Sequence, residues 1–353
     1  MKTRVVVLLL MLALSLDVVA QRRPVNTFSI VARDPKTGEI GVAVQSHWFS
    51  VGSIVSWAEP GVGAVATQSF AEASYGPLGL ALMRAGKSAP DALKGLLEAD
   101  GGREVRQVAM IDAQGRVGVW TGGKDIQAAG HAAGGESNAK PGMTSWTTAE
   151  GGRGDVGEGF SVEANLMANA KVWPAMATAF REAKGDLAER MLAALDAAQA
   201  VGGDIRGRQS AALVVVSGDP KHKPWERIFD VRVDDAAEPL KELRRLVALQ
   251  RAYNHMNAGD AAVERKDNAA ALREYATAEQ IAAKTPGILP SRLAEMQYWH
   301  AVALVTMGRL DEALPLFRKA FATEPGWRTV TPRLPRSGLL PNDPKLVERI
   351  TVQ

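Results

Sequence analysis

TFSIVARDPKTGEIGVAVQSHWFSVG, residues Thr27–Gly52, reads as two strands joined by one tight turn. Phe28, Ile30 and Ala32 alternate with Thr27, Ser29 and Val31, so one face of the first strand is apolar and the other begins with two hydroxyls. Asp34, Pro35 and Gly38 supply the turn through local side-chain hydrogen bonding, a fixed φ and tolerance of positive φ. IGVAVQS returns as the second strand, which predicts a hairpin headed by Thr27.

Working outward, SIVSWAEPGVGAVATQS predicts two more strands around Pro60-Gly61, and the period then changes to helical. GPLGLALMRAG and SAPDALKGLLEAD read as helices, the second capped by Ser88 with Pro90 in its first turn. RQVAMIDAQGRVGVWTG is a further hairpin. From Gly130 to Gly159 there are many glycines and no periodicity, which predicts a long loop or insertion. A strand at Phe160–Glu163, helices at Val172–Ala183 and Asp186–Val201, and the strands AALVVVS and RIFDVRV follow. Blocks of adjacent strands separated by helix pairs fit an α+β fold, two antiparallel sheets stacked between helical layers.

Beyond Ala236 the segments are helical and alanine-rich. Ala271, Tyr275 and Ala278 recur as Ala313, Phe317 and Ala320, with Gly259 and Ala301 equally far upstream of each. This spacing matches tetratricopeptide repeats with an insertion near Lys284–Ser291, and a generic helical bundle is the competing reading. The proline-rich end, TVTPRLPRSGLLPNDPK, predicts an extended surface tail. The expected divisions are a leader over 1–20, a sandwich over 26–234, a helical domain over 236–330 and the tail over 331–353.

The chain has 353 residues, 46% of them hydrophobic and 23% charged, enough to build ordinary cores. MKTR, the apolar run Val5–Leu16 and the small residues near Ala20 read as a secretory signal, and the run is too short to span a bilayer. The expected address is the periplasm or the exterior. The lack of cysteine excludes disulfides, thiolate metal sites and a lipidated-cysteine anchor. Basic and acidic residues are interleaved, as in Lys241-Glu242-Leu243-Arg244-Arg245, so no nucleic-acid groove is expected.

The stretch 27–53, PGVGAVATQS, YGPLGLALMRAG and GGDIRGRQSAALVVV together make the chain resemble the bacterial and archaeal family called domain of unknown function 1028. That family is placed in the N-terminal-nucleophile hydrolase superfamily. The resemblance covers roughly 26–234 and implies an αββα sandwich and hydrolysis of an amide or peptide-like bond by Thr27. GGDIRGRQSA, Gly202–Ala211, matches the family signature, whereas Glu163 and Ala164 before Asn165 depart from it.

An N-terminal threonine is a workable nucleophile because its own α-amine, with a pKa near 8, takes the hydroxyl proton. Signal cleavage after Ala20 leaves Gln21–Asn26 in front of Thr27, so a second cut is required, for instance by attack of the Thr27 hydroxyl on the Asn26 carbonyl. Otherwise Thr27 merely begins a strand. Asp204, Arg206 and Gln209 are expected at the end of the sheet, where Arg206 or Arg208 either clamps a substrate carboxylate or, in the Asp204–Arg206 pair, braces the loop. Ser210 and Asn165 are candidate donors to a tetrahedral oxyanion, and Ser29, His47 and Gln68 are candidate substrate contacts. No HxxxH or carboxylate cluster accompanies His47 or His131, so neither metal nor cofactor is expected.

Two function classes compete: an exported amidohydrolase, and a catalytically silent sandwich that binds a ligand while the helical repeats dock a protein partner. A glycan binder is a third, and self-association is compatible with all three.

Overall fold

The computed structural model describes residues 24–134 and 145–353. The expected signal segment and the middle of the glycine-rich stretch lie outside the described residues. β1 (Thr27–Arg33) and β2 (Ile40–Ser46) form the hairpin, with Thr27 opposite Ser46 and Arg33 opposite Ile40. Its turn is held by Asp34 Oδ1, which accepts the backbone N–H of Lys36 at 2.7 Å and of Thr37 at 3.1 Å, and by Gly38 at φ +78°.

Two six-stranded antiparallel sheets result. The first runs β12-β11-β2-β1-β10-β7, adding β12 (Phe229–Val233), β11 (Ser210–Val216), β10 (Phe160–Ala164) and β7 (Gly130–Ala133) to the hairpin. The second runs β3-β4-β5-β6-β9-β8: β3 (Ser56–Glu59), β4 (Gly63–Ser69), β5 (Arg106–Asp112), β6 (Arg116–Thr121), β9 (Arg153–Glu158) and β8 (Trp146–Thr147).

Three apolar layers order these sheets. Val31, Val42, Val44 and Val214 of the first sheet meet Ala66, Ala109, Ile111 and Val119 of the second, so the sheets stack face to face. On the outer face of the first sheet, Phe28, Ile30 and Leu213 bury against α4 (Val172–Glu182) and α5 (Leu187–Ala200). On the outer face of the second, Val108 and Met110 bury against α2 (Tyr75–Arg84) and α3 (Ala89–Ala99). A short helix, α1 (Gly52–Val55), precedes β3. Ser88 caps α3 as expected, its hydroxyl accepting the Asp91 N–H. Each fully buried Val, Leu, Ile or Phe contributes about 1.5–3 kcal/mol, and β1 buries both of its faces.

The glycine-rich segment is not one long loop. Its described parts pair as β7, β8 and β9, and the glycines permit close contacts there: a Cβ on Gly154 would lie 2.1 Å from the Trp146 ring, and one on Gly130 2.5 Å from Trp173.

The C-terminal region is helical. α6 (Pro239–Glu264) pairs with α7 (Asn268–Lys284), and α8 (Pro290–Thr306) with α9 (Leu310–Thr323). Ala271, Tyr275 and Ala278 on α7, and Ala313, Phe317 and Ala320 on α9, are all buried. Gly259 lets α7 approach α6, since a Cβ there would stand 2.6 Å from Tyr275 Cε1. α6 crosses the expected boundary near 236: Leu240, Leu243 and Val247 belong to the core beneath the first sheet, while Ala252 and Met256 belong to the helical core.

The proline-rich end departs from the extended tail expected of it. After α10 (Gly326–Val330), a 3-10 helix over Thr331–Ser337, the connection after it and α11 (Pro344–Thr351) bury Leu334, Leu340 and Ile350 in turn against Tyr298, Phe317 and Phe321. Pro332 and Pro344 stand at the starts of these helices, where a missing N–H costs nothing.

Candidate functional site

Thr27 opens β1 and is fully buried, because the two residues before it continue between the sheets. Val25 makes an antiparallel bridge to Ser69 at the end of β4: its N–H donates to the Ser69 carbonyl at 2.5 Å and its carbonyl accepts the Ser69 N–H at 2.9 Å. The chain therefore crosses from one sheet to the other at Asn26, which is 1% exposed.

This crossing places the Asn26 carbonyl oxygen between two donors. Ser46 Oγ donates to it at 2.5 Å and Arg206 Nη2 at 2.7 Å. Thr27 Oγ1, on the adjacent residue, is within hydrogen-bond reach of Val25 O at 2.9 Å and of Ser46 Oγ at 3.2 Å.

Arg206 is aimed by Asp204. Its Nε donates to Oδ1 at 3.0 Å and its Nη2 to Oδ2 at 2.7 Å, and the backbone N–H groups of Arg206 and His47 donate to the same carboxylate at 2.9 and 3.1 Å. The Asp204 side chain is 0% exposed. α5 ends just before this loop, where the Gly203 N–H returns to the Ala198 carbonyl at 3.0 Å, and Gly202 and Gly203 take positive φ as a helix terminus requires.

Behind Thr27 lies a buried polar network. The Thr27 carbonyl accepts the Asn165 N–H at 3.1 Å and Gln68 Nε2 at 3.3 Å. Gln107 Oε1 gathers Gln68 Nε2 at 2.7 Å and Asn165 Nδ2 at 2.9 Å, and its own Nε2 donates to Thr121 Oγ1 and the Ala164 carbonyl. Ser29 Oγ lies 2.8 Å from Gln68 Oε1 and 3.2 Å from Glu163 Oε1. Total burial holds the Glu163 carboxyl well above the usual carboxylate range, and the nearby Asp125 charge adds to this. The Ser29 hydroxyl, donating to Glu163 Oε1, partly offsets that rise. Asp125, bonded by Ser69 Oγ at 2.7 Å, is pushed up to about 7, chiefly by burial. Among the described residues, Glu163 Oε2, Asn165 Oδ1 and Asn26 Oδ1 are buried without a partner.

Of the residues expected at the site, the structure gathers Thr27, Ser29, Gln68, Asn165, Asp204 and Arg206 around the head of β1. His47 contributes its backbone N–H. Arg206 is engaged by Asp204 and by the Asn26 carbonyl, so the loop-brace reading describes its geometry and the carboxylate clamp does not.

Three of the expected residues are engaged elsewhere. Ser210 stands in the same cross-strand row, opposite Ser46 and so about 10 Å from Thr27. Its hydroxyl donates to the Trp48 carbonyl and accepts the Val51 N–H at 3.1 Å, so it braces the turn after β2 and is no oxyanion donor. Arg208 pairs with Glu238 and Gln209 Nε2 donates to Asp235 at 3.2 Å, so both tie this loop to the start of α6. His131 bonds Thr121 Oγ1 at 2.8 Å and Asp155 Oδ2 at 3.1 Å, and hydrogen bonding from it holds the Asp155 carboxyl below its ordinary range.

Sequence reasoning missed Ser46, Gln107 and Asp125. The hairpin register was sufficient to find Ser46, because counting back from the turn sets it opposite Thr27. Gln107 alternates with Ala109 and Ile111 on an otherwise apolar strand face, a weak signal that only sheet stacking converts into a site.

Arg206→Ala removes one donor from the Asn26 carbonyl and leaves the buried Asp204 carboxylate with backbone donors only. Its expected cost is about 3 kcal/mol, with Arg206→Lys recovering part of it, measured by urea unfolding. An alanine variant as stable as the wild type would show that the pair does not hold the loop.

The chain matches the model of a family described as a family of unknown function, DUF1028, over residues 27–143 and 138–243. Among solved structures it is similar to the crystal structure of a DUF1028 protein from Silicibacter pomeroyi, with 28% identity, 63% of this chain and 87% of that chain covered, and a TM-score of 0.49. No curated protein matches. The matched stretch begins at Thr27, takes in both sheets and ends within the first turns of α6, so this protein belongs to the DUF1028 family of unknown function.

Proposed function

We propose that this protein is an exported N-terminal-nucleophile amidohydrolase that frees Thr27 by cutting its own Asn26–Thr27 bond. The observation that carries the reading is the pair of donors, Ser46 and Arg206, on the Asn26 carbonyl oxygen beside the Thr27 hydroxyl. Thr27 Oγ attacks the Asn26 carbonyl carbon, and the two donors stabilise the oxyanion that forms. Collapse breaks the C–N bond, the Thr27 nitrogen takes up the hydroxyl proton, and the acyl group passes to Oγ as an ester. Water hydrolyses that ester, releasing the Asn26 carboxylate and a free Thr27 amine.

The vacated slot then takes substrate. Val25 pairs with Ser69 through two backbone hydrogen bonds, so an extended acyl group bearing a peptide unit beside the scissile bond fits the same place. The Thr27 amine removes the Oγ proton, Ser46 and Arg206 polarise the substrate carbonyl, and an acyl-enzyme forms and is hydrolysed. The helix-sheet-sheet-helix layering supports the superfamily assignment. The matching buried triplets on α7 and α9 support a tetratricopeptide-like extension.

One observation favours a silent binding module instead: Thr27 is fully buried while Val25 and Asn26 remain attached. Intact-mass measurement and N-terminal sequencing of the exported protein separate the two. A chain starting at Thr27 that hydrolyses acylated amino acids or short peptides supports the hydrolase. A chain starting at Gln21 that is nonetheless fully active overturns it.

A further inference from the structure

We propose that the cavity between α6 and α8 is a second ligand site, independent of Thr27, that takes a small organic cation: an alkyl chain ending in an ammonium or guanidinium group. The cavity holds about 640 Å³, within the roughly 300–1,000 Å³ of small-molecule sites. Its walls are soft and apolar, with buried Met256 and Met296 on facing helices and half-buried Trp299 beside them. Its charges are of one sign. Asp260, Glu264 and Glu295 line it, and among the described residues no lysine, arginine or histidine does.

Two of the carboxylates are held in place. Tyr253 donates its hydroxyl to Glu295 Oε2 at 2.7 Å, and Tyr275 donates to Asp260 Oδ1 at 2.7 Å. Among the described residues, the second oxygen of each carboxylate carries no hydrogen bond, which leaves it for an N–H of the ligand. Arg292, half-exposed, approaches the tyrosine-bonded oxygen of Glu295 to 3.9 Å and lies outside the lining. The carboxylates come from two facing helices, Asp260 and Glu264 from α6 and Glu295 from α8, and among the described residues no group of three or more acidic or histidine side chains is close-set enough to hold a metal ion. Separated carboxylates over an apolar floor suit a cation that is itself extended. The alkyl stem lies on the methionines, the charged end reaches a carboxylate, and Trp299 offers a ring face to it.

Isothermal titration of the full chain with agmatine tests this, with butylurea as the uncharged control and a short arginine-containing peptide as a third arm. Agmatine should bind, and butylurea should bind at least about tenfold more weakly. The double variant Asp260→Asn, Glu295→Gln keeps acceptors for both tyrosines and should lose at least about tenfold in agmatine affinity with its helical circular dichroism unchanged. Glu264→Gln, on the rim, is the fallback should the double variant misfold, and a weakened titration there supports the site. No heat with agmatine at millimolar concentration, equal binding of butylurea, unchanged affinity in the folded variants, or binding of the peptide alone would each overturn the assignment. The readout is binding only, so its failure leaves the Thr27 reading untouched.

Discussion

Replacing Thr27 by alanine should leave the Asn26–Thr27 bond uncut and lower amide hydrolysis by at least about 10³-fold, as loss of a nucleophile does. Thr27→Ser should retain both reactions, because the hydroxyl and its neighbouring amine persist. The alanine variant is expected to fold: it loses one hydrogen bond, Oγ1 to Val25 or Ser46, costing about 1 kcal/mol, while β1 keeps its pairing with β2 and β10. Mass spectrometry reads the cut and a rate assay reads the chemistry. Arg206 and Ser46 act on the carbonyl oxygen of the amide being cut, so their variants should slow cutting without preventing it. An alanine variant that is trimmed to residue 27 and turns over substrate would remove Thr27 from the mechanism.

Asp125→Asn should stabilise the protein at neutral and alkaline pH and leave it nearly unchanged in acid. Asp125 is 5% exposed, and burial lifts its carboxyl from 3.8 to about 7. With the folded value above the unfolded one, the unfolded chain gives up this proton first. Below both values neither state is penalised. As pH rises from about 4 to 7 the wild type loses stability, by about 4 kcal/mol for a shift of this size, and above 7 the loss is constant. Asparagine accepts the same bond from Ser69 and never ionises. Glu163, also raised by burial, works in the same direction, so Glu163→Gln should add to the effect. Urea unfolding from pH 4 to pH 8 measures the gap between variant and wild type. A gap that does not widen with pH would mean that these carboxyls are not the buried acids described above.

The hairpin at Thr27, the capped helix after Ser88 and the paired triplets on α7 and α9 were legible because each depends on side-chain alternation, a local cap or helical spacing within one stretch of chain. Strands β7 to β9 were hidden by their own glycines. A residue chosen so that Trp146 or Trp173 can pack against bare backbone carries no apolar pattern to read. The 3-10 helix and α11 were concealed by prolines that serve as helix starts.

The candidate site divides along the same line. Thr27, Asp204 and Arg206 announce their chemistry by residue type and by short spacing, and the sequence alone determined that a hydroxyl heads the first strand and that a rigid glycine-flanked loop carries an acid beside a guanidinium. Only the tertiary structure decided what these groups touch. Stacking of the two sheets sets Gln68 against the Thr27 carbonyl, with Gln107 behind it, and carries Val25 across to Ser69. The return of β11 beside β2 brings Arg206 onto the Asn26 carbonyl, leaving Ser210 and Arg208 with other partners. Strand pattern is a property of nearest neighbours along the chain, whereas a hydrogen bond between residues 26 and 206 exists only once the long-range closure of both sheets has been completed.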